Sequence, residues 1–168
     1  ARNAGLLALK TFCLGIIFLG TGFWLLAESA GTASISDIVQ ATDAQTPMHF
    51  TGLLLIAIAA MTQSAAWPFH RWLISSLNSP TPVSALMHAG LVNGGGFLLV
   101  RFAPLYATQE ILLHGLFVAG LITAVVGTFW KLLQTDIKRM LACSTMGQMG
   151  FMLMQCVELS LMVFNAVA

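Results

Sequence analysis

Charge is what this sequence has least of. Only 8% of its 168 residues are Asp, Glu, Lys or Arg, against about 25% in a soluble domain. A chain so poor in charge cannot cover a surface that faces water. With 58% hydrophobic residues and a mean hydropathy of +0.87, lipid is its natural solvent. The formal net charge is +1 and no basic run is present, which argues against a nucleic-acid partner. The three cysteines, Cys13, Cys143 and Cys156, all lie in apolar stretches without CxxC spacing, so they read as packing residues, not a disulfide frame or a metal site. There is no Ser-His-Asp arrangement, no paired carboxylate and no metal-ligand cluster, so neither bond-making chemistry nor a cofactor is expected. Alternating segments of about ten residues are absent, which excludes a transmembrane barrel. No period of about 20 to 50 residues recurs, which argues against a solenoid. The first apolar segment lacks a small-residue cleavage signature and is too long for a signal peptide's apolar region. No initiator Met opens the chain, and the expectation is a fragment of a longer protein.

What is present is apolar and helical. Five segments, at about 6–27, 48–66, 82–103, 111–133 and 140–163, approach or exceed the roughly 20 residues that a ~30 Å hydrocarbon core requires. The expected fold class is all-α: a polytopic membrane helix bundle of about five transmembrane helices, one of them broken, forming a single partial domain over 1–168. Gly15, Gly20 and Gly22 suit close helix packing in the first span. Lys10 can snorkel to the headgroups, and Trp24 is placed for an interfacial belt. A polar connector with Glu28, Asp37 and Asp43 but no Lys or Arg follows. Ser34 and Asp37 predict a short capped helix there. Basic residues gather in alternate connectors. Arg2 and Lys10 sit at the start of the first span, Arg71 between the second and third, and Lys131, Lys138 and Arg139 between the fourth and fifth. The positive-inside rule then makes the N-terminus cytoplasmic, in a multi-pass protein of the cell's inner (plasma) membrane.

The stretch from Gln63 to Arg101 organises the rest. Pro68 has no amide to donate and clashes with the preceding turn, so the second span should break there. A short amphipathic piece at 69–77 continues it, and Pro80 and Pro82 mark the turn into the third span, with Pro82 in its first helical turn. His88 lies about 9 Å along the axis from Pro82. An ionisable group inside the membrane marks a proton or ion path by default, while a neutral histidine bonded to a neighbouring helix is the alternative. Gln63 cannot ionise. It can relay through water or, more simply, bond a neighbouring helix. His70 and Arg71, with Ser64 beside the break, are candidates for gating water access; interfacial anchoring is the simpler reading of the first two. Lys138 and Asp136 read from composition as a solvated inner turn. Gly94, Gly95 and Gly96 permit close backbone approach, and no lysine follows in phosphate-loop spacing.

Three strings carry a resemblance: AAWPFHRWL at 65–73, SPTPVSALMHAGLV at 79–92 and QTDIKRMLACSTMGQMGFM at 134–152. Together they resemble the proton-conducting, antiporter-like membrane subunits. Those are the large pumping subunits of NADH:quinone oxidoreductase, the Mrp antiporters and the membrane subunit of DAB-type inorganic carbon transporters, the last being closest in wording. The resemblance implies a fragment of a larger fold of two inverted five-helix repeats, each with a broken helix on the proton path. It implies proton translocation that energises inorganic carbon uptake, or pumping within an NADH:quinone oxidoreductase. Its implied partners are the bilayer, protons, other membrane subunits and a large soluble zinc-containing subunit. His88 falls on the family's histidine in SALxHA, and Lys138 on the lysine of TDIKR. Gln63 falls where the respiratory subunits carry a lysine. A glutamine cannot hold or release charge, and that favours a third expectation, a non-conducting assembly subunit or an inactive fragment.

Overall fold

The computed structural model describes residues 2–40, 46–78 and 80–167, and every element among them is helical. Asp43 of the polar connector and Ser79 of the proline-rich turn lie outside the described residues. Helix α1 (Arg2–Ala30) runs 29 residues, about 44 Å at 1.5 Å per residue, and overshoots a ~30 Å core. Helix α2 (Ile35–Gln40) is the short piece expected after Ser34, with Asp37 in its first turn and the Ile38 amide donating to the Ser34 carbonyl at 3.0 Å.

Helix α3 (Pro47–Gln63) has 17 residues and reaches only about 25 Å. It ends three residues before the expected limit at 66, and the reason lies in its backbone. The Ala66 amide donates to the Met61 carbonyl at 2.9 Å and the Ala65 amide to Thr62 at 3.4 Å, the pattern of a Schellman cap. Ala65 takes the left-handed position of that cap, with φ 50°, where glycine is usual and another L-residue costs roughly 1–2 kcal/mol. The chain then passes Pro68 and resumes as α4 (Arg71–Ser75) and a 3-10 turn, Ser76–Asn78. This is shorter and tighter than the single helix expected over 69–77.

The third span is also interrupted. Helix α5 (Thr81–Ala89) starts after Pro80, with Pro82 in its first turn, and ends at Gly90. A 3-10 turn, Leu91–Asn93, joins it to α6 (Gly94–Arg101). Gly90 is a poor helix residue. The Asn93 side chain donates to the Ala89 carbonyl at 3.0 Å and competes with the helix's own bonding. Helix α7 (Ala103–Ala107) turns the chain into α8 (Glu110–Leu133), which carries Glu110 in its first turn and Lys131 in its last, both favourable to the helix dipole. Helix α9 (Ile137–Val167) begins three residues earlier than the expected fifth span. Asp136 is the cause: its Oδ1 accepts the Lys138 amide at 3.1 Å and its carbonyl accepts the Met140 amide at 2.9 Å, an N-cap arrangement.

Helices α1, α8 and α9 and the interrupted α5–α6 stretch are long and apolar enough to cross a membrane, and α3 is a shorter apolar helix. Helix α1 is peripheral: only 6% of its most apolar window is buried, against 50% for α9. It meets α3 where Gly22 faces Gly52, and a Cβ on Gly22 would lie 2.9 Å from the Gly52 carbonyl oxygen. Gly20 faces open space. Helices α8 and α9 close through Gly120, Gly127, Gly147 and Gly150, the small-residue approach typical of membrane helices. Two apolar centres result. One gathers around Leu53, Ile56, Leu99, Leu105 and Leu153. The other surrounds Trp72, Leu73 and Val92 beneath the break.

Candidate functional site

The two helix interruptions lie against each other, and the sequence explains how they come so close. A Cβ on Gly95 would fall on the Ser64 hydroxyl and the Ala60 carbonyl, and one on Gly96 would fall on Met152. The glycine triplet is therefore a contact surface for α3 and α9. Gln63 spans the junction: its Nε2 donates to the Leu91 carbonyl at 3.0 Å. That carbonyl also receives the Gly94 amide within the 3-10 turn. The one carboxamide thus ties the end of α3 to the break in the third span. Ser64 caps α3 and is fully buried, and its Oγ has no partner.

Neighbouring elements satisfy groups that the first break leaves free. The Trp67 amide donates to the Thr123 Oγ1 of α8 at 3.1 Å, while that hydroxyl donates to the Ala119 carbonyl at 2.7 Å. Trp72 Nε1 returns to the Thr62 carbonyl at 3.0 Å, which fastens α4 back onto α3. Ala65 and Ala66 within the break are buried, while Trp67 and Pro68 are exposed. On the far side of α3 the Tyr106 hydroxyl donates to the Leu53 carbonyl at 2.8 Å. Burial pushes the Tyr106 phenol well above its ordinary range, so it stays a donor.

His88 and Lys138 face one space. A cavity of about 460 Å³ lies between α5 and α9, and its polar lining is Ser84, His88, Lys138, Ser144, Thr145 and Gln148. Leu77 and Leu141 complete it. At about 30 Å³ per water this is room for about 15 waters. Ser84 and His88 are four apart on α5. Lys138, Leu141, Ser144, Thr145 and Gln148 follow a three-and-four spacing along one face of α9. The Thr145 hydroxyl donates to the Leu141 carbonyl at 3.0 Å, which leaves its lone pairs to the cavity. His88 Nδ1 is buried and has no partner among the described residues. An imidazole and an amine lining one shared cavity can exchange a proton through water.

Gln63 is not in that cavity. It lines a separate space of about 260 Å³ with Gly15, Ala59, Gly94 and Phe97, where it is the one polar side chain. His70 is buried, and its ring meets Trp130 edge-on, with centroids 5.0 Å apart at 66°. Arg71 beside it is exposed. The structure therefore joins His88 with Lys138 and leaves Gln63, His70 and Ser64 in other surroundings. Reading residue by residue missed Thr123, Trp72 and Tyr106. Ser144, Thr145 and Gln148 stand in the sequence as polar interruptions of an apolar span, and their three-and-four spacing marks a helix face.

Among the described residues, no group of three or more His, Cys, Asp or Glu side chains could hold a metal ion. Comparison with known proteins gives a coherent set of likenesses. The family described as NADH:quinone oxidoreductase/Mrp antiporter, TM, matches over residues 1–167. A probable inorganic carbon transporter subunit DabB1 of Halothiobacillus neapolitanus is 52% identical over 124 residues, covering 73% of this chain and 22% of that protein. The probable DabB subunit of Bacillus subtilis is 43% identical over 146 residues, covering 86% and 27%. Subunit L of the NADH-quinone oxidoreductase of Pseudomonas aeruginosa is 36% identical over 159 residues, covering 90% and 26%. The solved Mrp complex from a Dietzia species superposes with a TM-score of 0.86 at 32% identity, over 92% of this chain and 17% of the matched chain. The chain therefore spans about a quarter or less of the length of these relatives.

Proposed function

The chain belongs to the NADH:quinone oxidoreductase and Mrp antiporter transmembrane family, and from that premise we propose that it forms part of a proton-translocating membrane subunit in which His88 and Lys138 carry the proton. The observation that supports this most is their shared cavity. The His88 imidazole lines that cavity and takes a proton from the water there. The water in the cavity passes it toward the Lys138 amine at the start of α9. Gln63 acts as the joint between the two interrupted helices and takes no part in charge transfer, since its Nε2 is held by the Leu91 carbonyl. Ser64 at the junction, and His70 and Arg71 after it, control water access from the cytoplasmic side, where the basic connectors lie. The N-terminus of the segment is then cytoplasmic. Pro68, Pro80 and Pro82 set the breaks that make the space.

Inorganic carbon is the species whose uptake the proton flow drives, on the strength of the similarity to the DabB proteins. Other membrane subunits and a large soluble zinc-containing subunit complete the assembly. The test is proton flux into vesicles that hold the assembled complex. His88→Ala should lower it by about tenfold or more, the scale on which a positioned proton carrier contributes. Gln63→Leu should lower it far less. An unchanged flux in His88→Ala would falsify the path.

The joint itself favours a second reading. A bonded, non-ionisable residue at position 63 suits a segment that assembles and braces its complex without conducting. On that reading, variants at His88, Lys138 and Gln63 all leave flux unaltered while Gln63→Leu lowers assembly.

A further inference from the structure

Trp72 does more than fasten α4 to α3. Its side chain is fully buried and is the largest in the cluster beneath the first break, which also holds Ala65, Met87, Val92 and Met149. Each of those four belongs to a break or adjoins the cavity wall. Ala65 is the left-handed residue after α3. Val92 follows Leu91, whose carbonyl receives Gln63. Met87 precedes His88 on α5, and Met149 follows Gln148 on α9. The cluster therefore joins both breaks to both helices of the cavity. The indole is held in it from two sides. Its Nε1 donates to the Thr62 carbonyl at 3.0 Å, one residue before Gln63. The Ala65 amide reaches that carbonyl only at 3.4 Å, so the indole is its closer partner. From α1 the Phe12 ring packs against it, with centroids 4.8 Å apart at 56°. A wide ring held by a hydrogen bond and by a second ring keeps one orientation. In an interior packed as densely as a crystal, such a ring fixes what surrounds it.

We propose that Trp72 is a positioning residue: through this cluster it ties the end of α3 to the turn of α5 that carries His88, so that the joint at Gln63 and the imidazole move as one unit. Gln63 and His88 lie in separate spaces, and the indole is the link between them. As a role in transport this rests on the proton path through His88; as a mechanical link it stands on the packing. Contact alone is not coupling, and coupling is what the test reads.

Vesicles that hold the assembled complex are treated with diethyl pyrocarbonate, which carbethoxylates accessible neutral imidazoles, and peptide mass spectrometry gives the rate at each histidine. Trp72→Phe keeps an aromatic ring in the cluster and removes the indole N–H. His88 should then react at least about threefold faster, within the range set by one net hydrogen bond. Buried His49 on α3 and exposed His114 on α8 should keep their rates. Trp24→Phe, the same change at an exposed site on α1, should leave His88 as it was. Gln63→Leu, which cuts the joint, should also quicken His88, and the double variant should show less than the product of the two single effects. A His88 rate that Trp72→Phe leaves unchanged overturns the proposal. So does a rise that His49 shares, since Trp72 would then only hold the core together, and so do single effects that multiply independently. Proton flux through the same vesicles reports the path separately. Unaltered flux in His88→Ala sinks the proton reading, while the carbethoxylation rates still decide whether Trp72 sets His88.

Discussion

Replacing Thr123 by Val tests whether the broken helix is held by its neighbour or by its own sequence. The two side chains have the same shape, so no cavity opens. Thr123 is fully buried, and its hydroxyl is the only partner identified for the Trp67 amide, at 3.1 Å. The Ala119 carbonyl, which also loses a bond, keeps its helical one. The penalty therefore falls on one part-buried amide with no acceptor, for which the 1–3 kcal/mol cost of a buried unpaired group is roughly an upper bound. Side-chain hydrogen bonds between membrane helices average only about 0.6 kcal/mol, because the membrane-inserted reference state finds other partners. The Trp67 amide is different: it is a backbone group next to a proline, with no helix of its own to rejoin. The lower part of the range, about 1 kcal/mol, is expected because the amide is only part-buried. Unfolding in mixed micelles measures it. Thr123→Ser should keep the bond and lose mainly a methyl. Thr21→Val, an exposed hydroxyl bonded only to its own helix at Ile17 and Phe18, should shift stability by no more than a few tenths. A Thr123→Val loss as small as that of Thr21→Val would refute the reasoning and leave the break self-supporting.

Further outcomes follow from the contacts. Gly150→Ala places a methyl against the Ala124 amide and 2.6 Å from the Gly120 carbonyl oxygen; α8 and α9 must part, at about 1–3 kcal/mol. Gly115→Ala on the same α8 meets nothing within 4 Å and should gain up to roughly 1 kcal/mol of helix propensity; equal effects of the two in micelle unfolding would discredit the packing. Tyr106→Phe removes one bond to a carbonyl that its helix already satisfies, so the cost is about 0.5–1.5 kcal/mol, and a loss above roughly 3 kcal/mol would mean that the hydroxyl does something else. Ala65→Gly relieves a left-handed alanine by roughly 1–2 kcal/mol but removes a buried methyl worth about 0.8 kcal/mol and frees the unfolded chain by about 0.4–1 kcal/mol, two losses that together act as one opposing term. The two nearly cancel, and a midpoint shift of several degrees in either direction would show that one of them is misjudged.

Much of the fold was legible because lipid leaves few options. Length, hydropathy and the absence of charge select helices. Pro68 announces the first break, and the strings around His88 and Lys138 announce the family. What the sequence hid is the exact manner of each break. Pro68 marks where a helix cannot continue, but α3 stops at Gln63 because Ala65 accepts a glycine's conformation, and nothing about an alanine signals that. The second interruption, at Gly90–Asn93, reads in the sequence as part of a continuous apolar span. Its cause is one glycine, one competing asparagine and a carbonyl claimed from another helix by Gln63. A long-range partner of this kind has no local signature. Thr123 stayed invisible for the same reason, being 56 residues from the amide it accepts. The wall of polar residues on α9 was legible in principle. Its three-and-four spacing stands in the chain, but as isolated residues the polar groups read as weak points of a span, not as a face.

The two breaks explain each other. A single interrupted helix in lipid leaves carbonyls and amides that no solvent can satisfy. Two interruptions at the same depth can serve one another, and here they do through Gln63 and the Leu91 carbonyl. That arrangement requires backbones in near contact, which is why Gly95 lies where any side chain would strike Ser64 and Ala60. A lysine at position 63 would make the same bond most strongly as its ammonium, and a change of protonation there would act directly on the joint. A glutamine holds the joint shut regardless of pH. The residue at position 63 therefore decides whether the junction can respond to protons, while His88 and Lys138 lie in a separate cavity. Gln63→Lys should then add to micelle stability a pH dependence that the glutamine joint does not contribute; a stability profile that stays parallel to the parent's across pH would break this link.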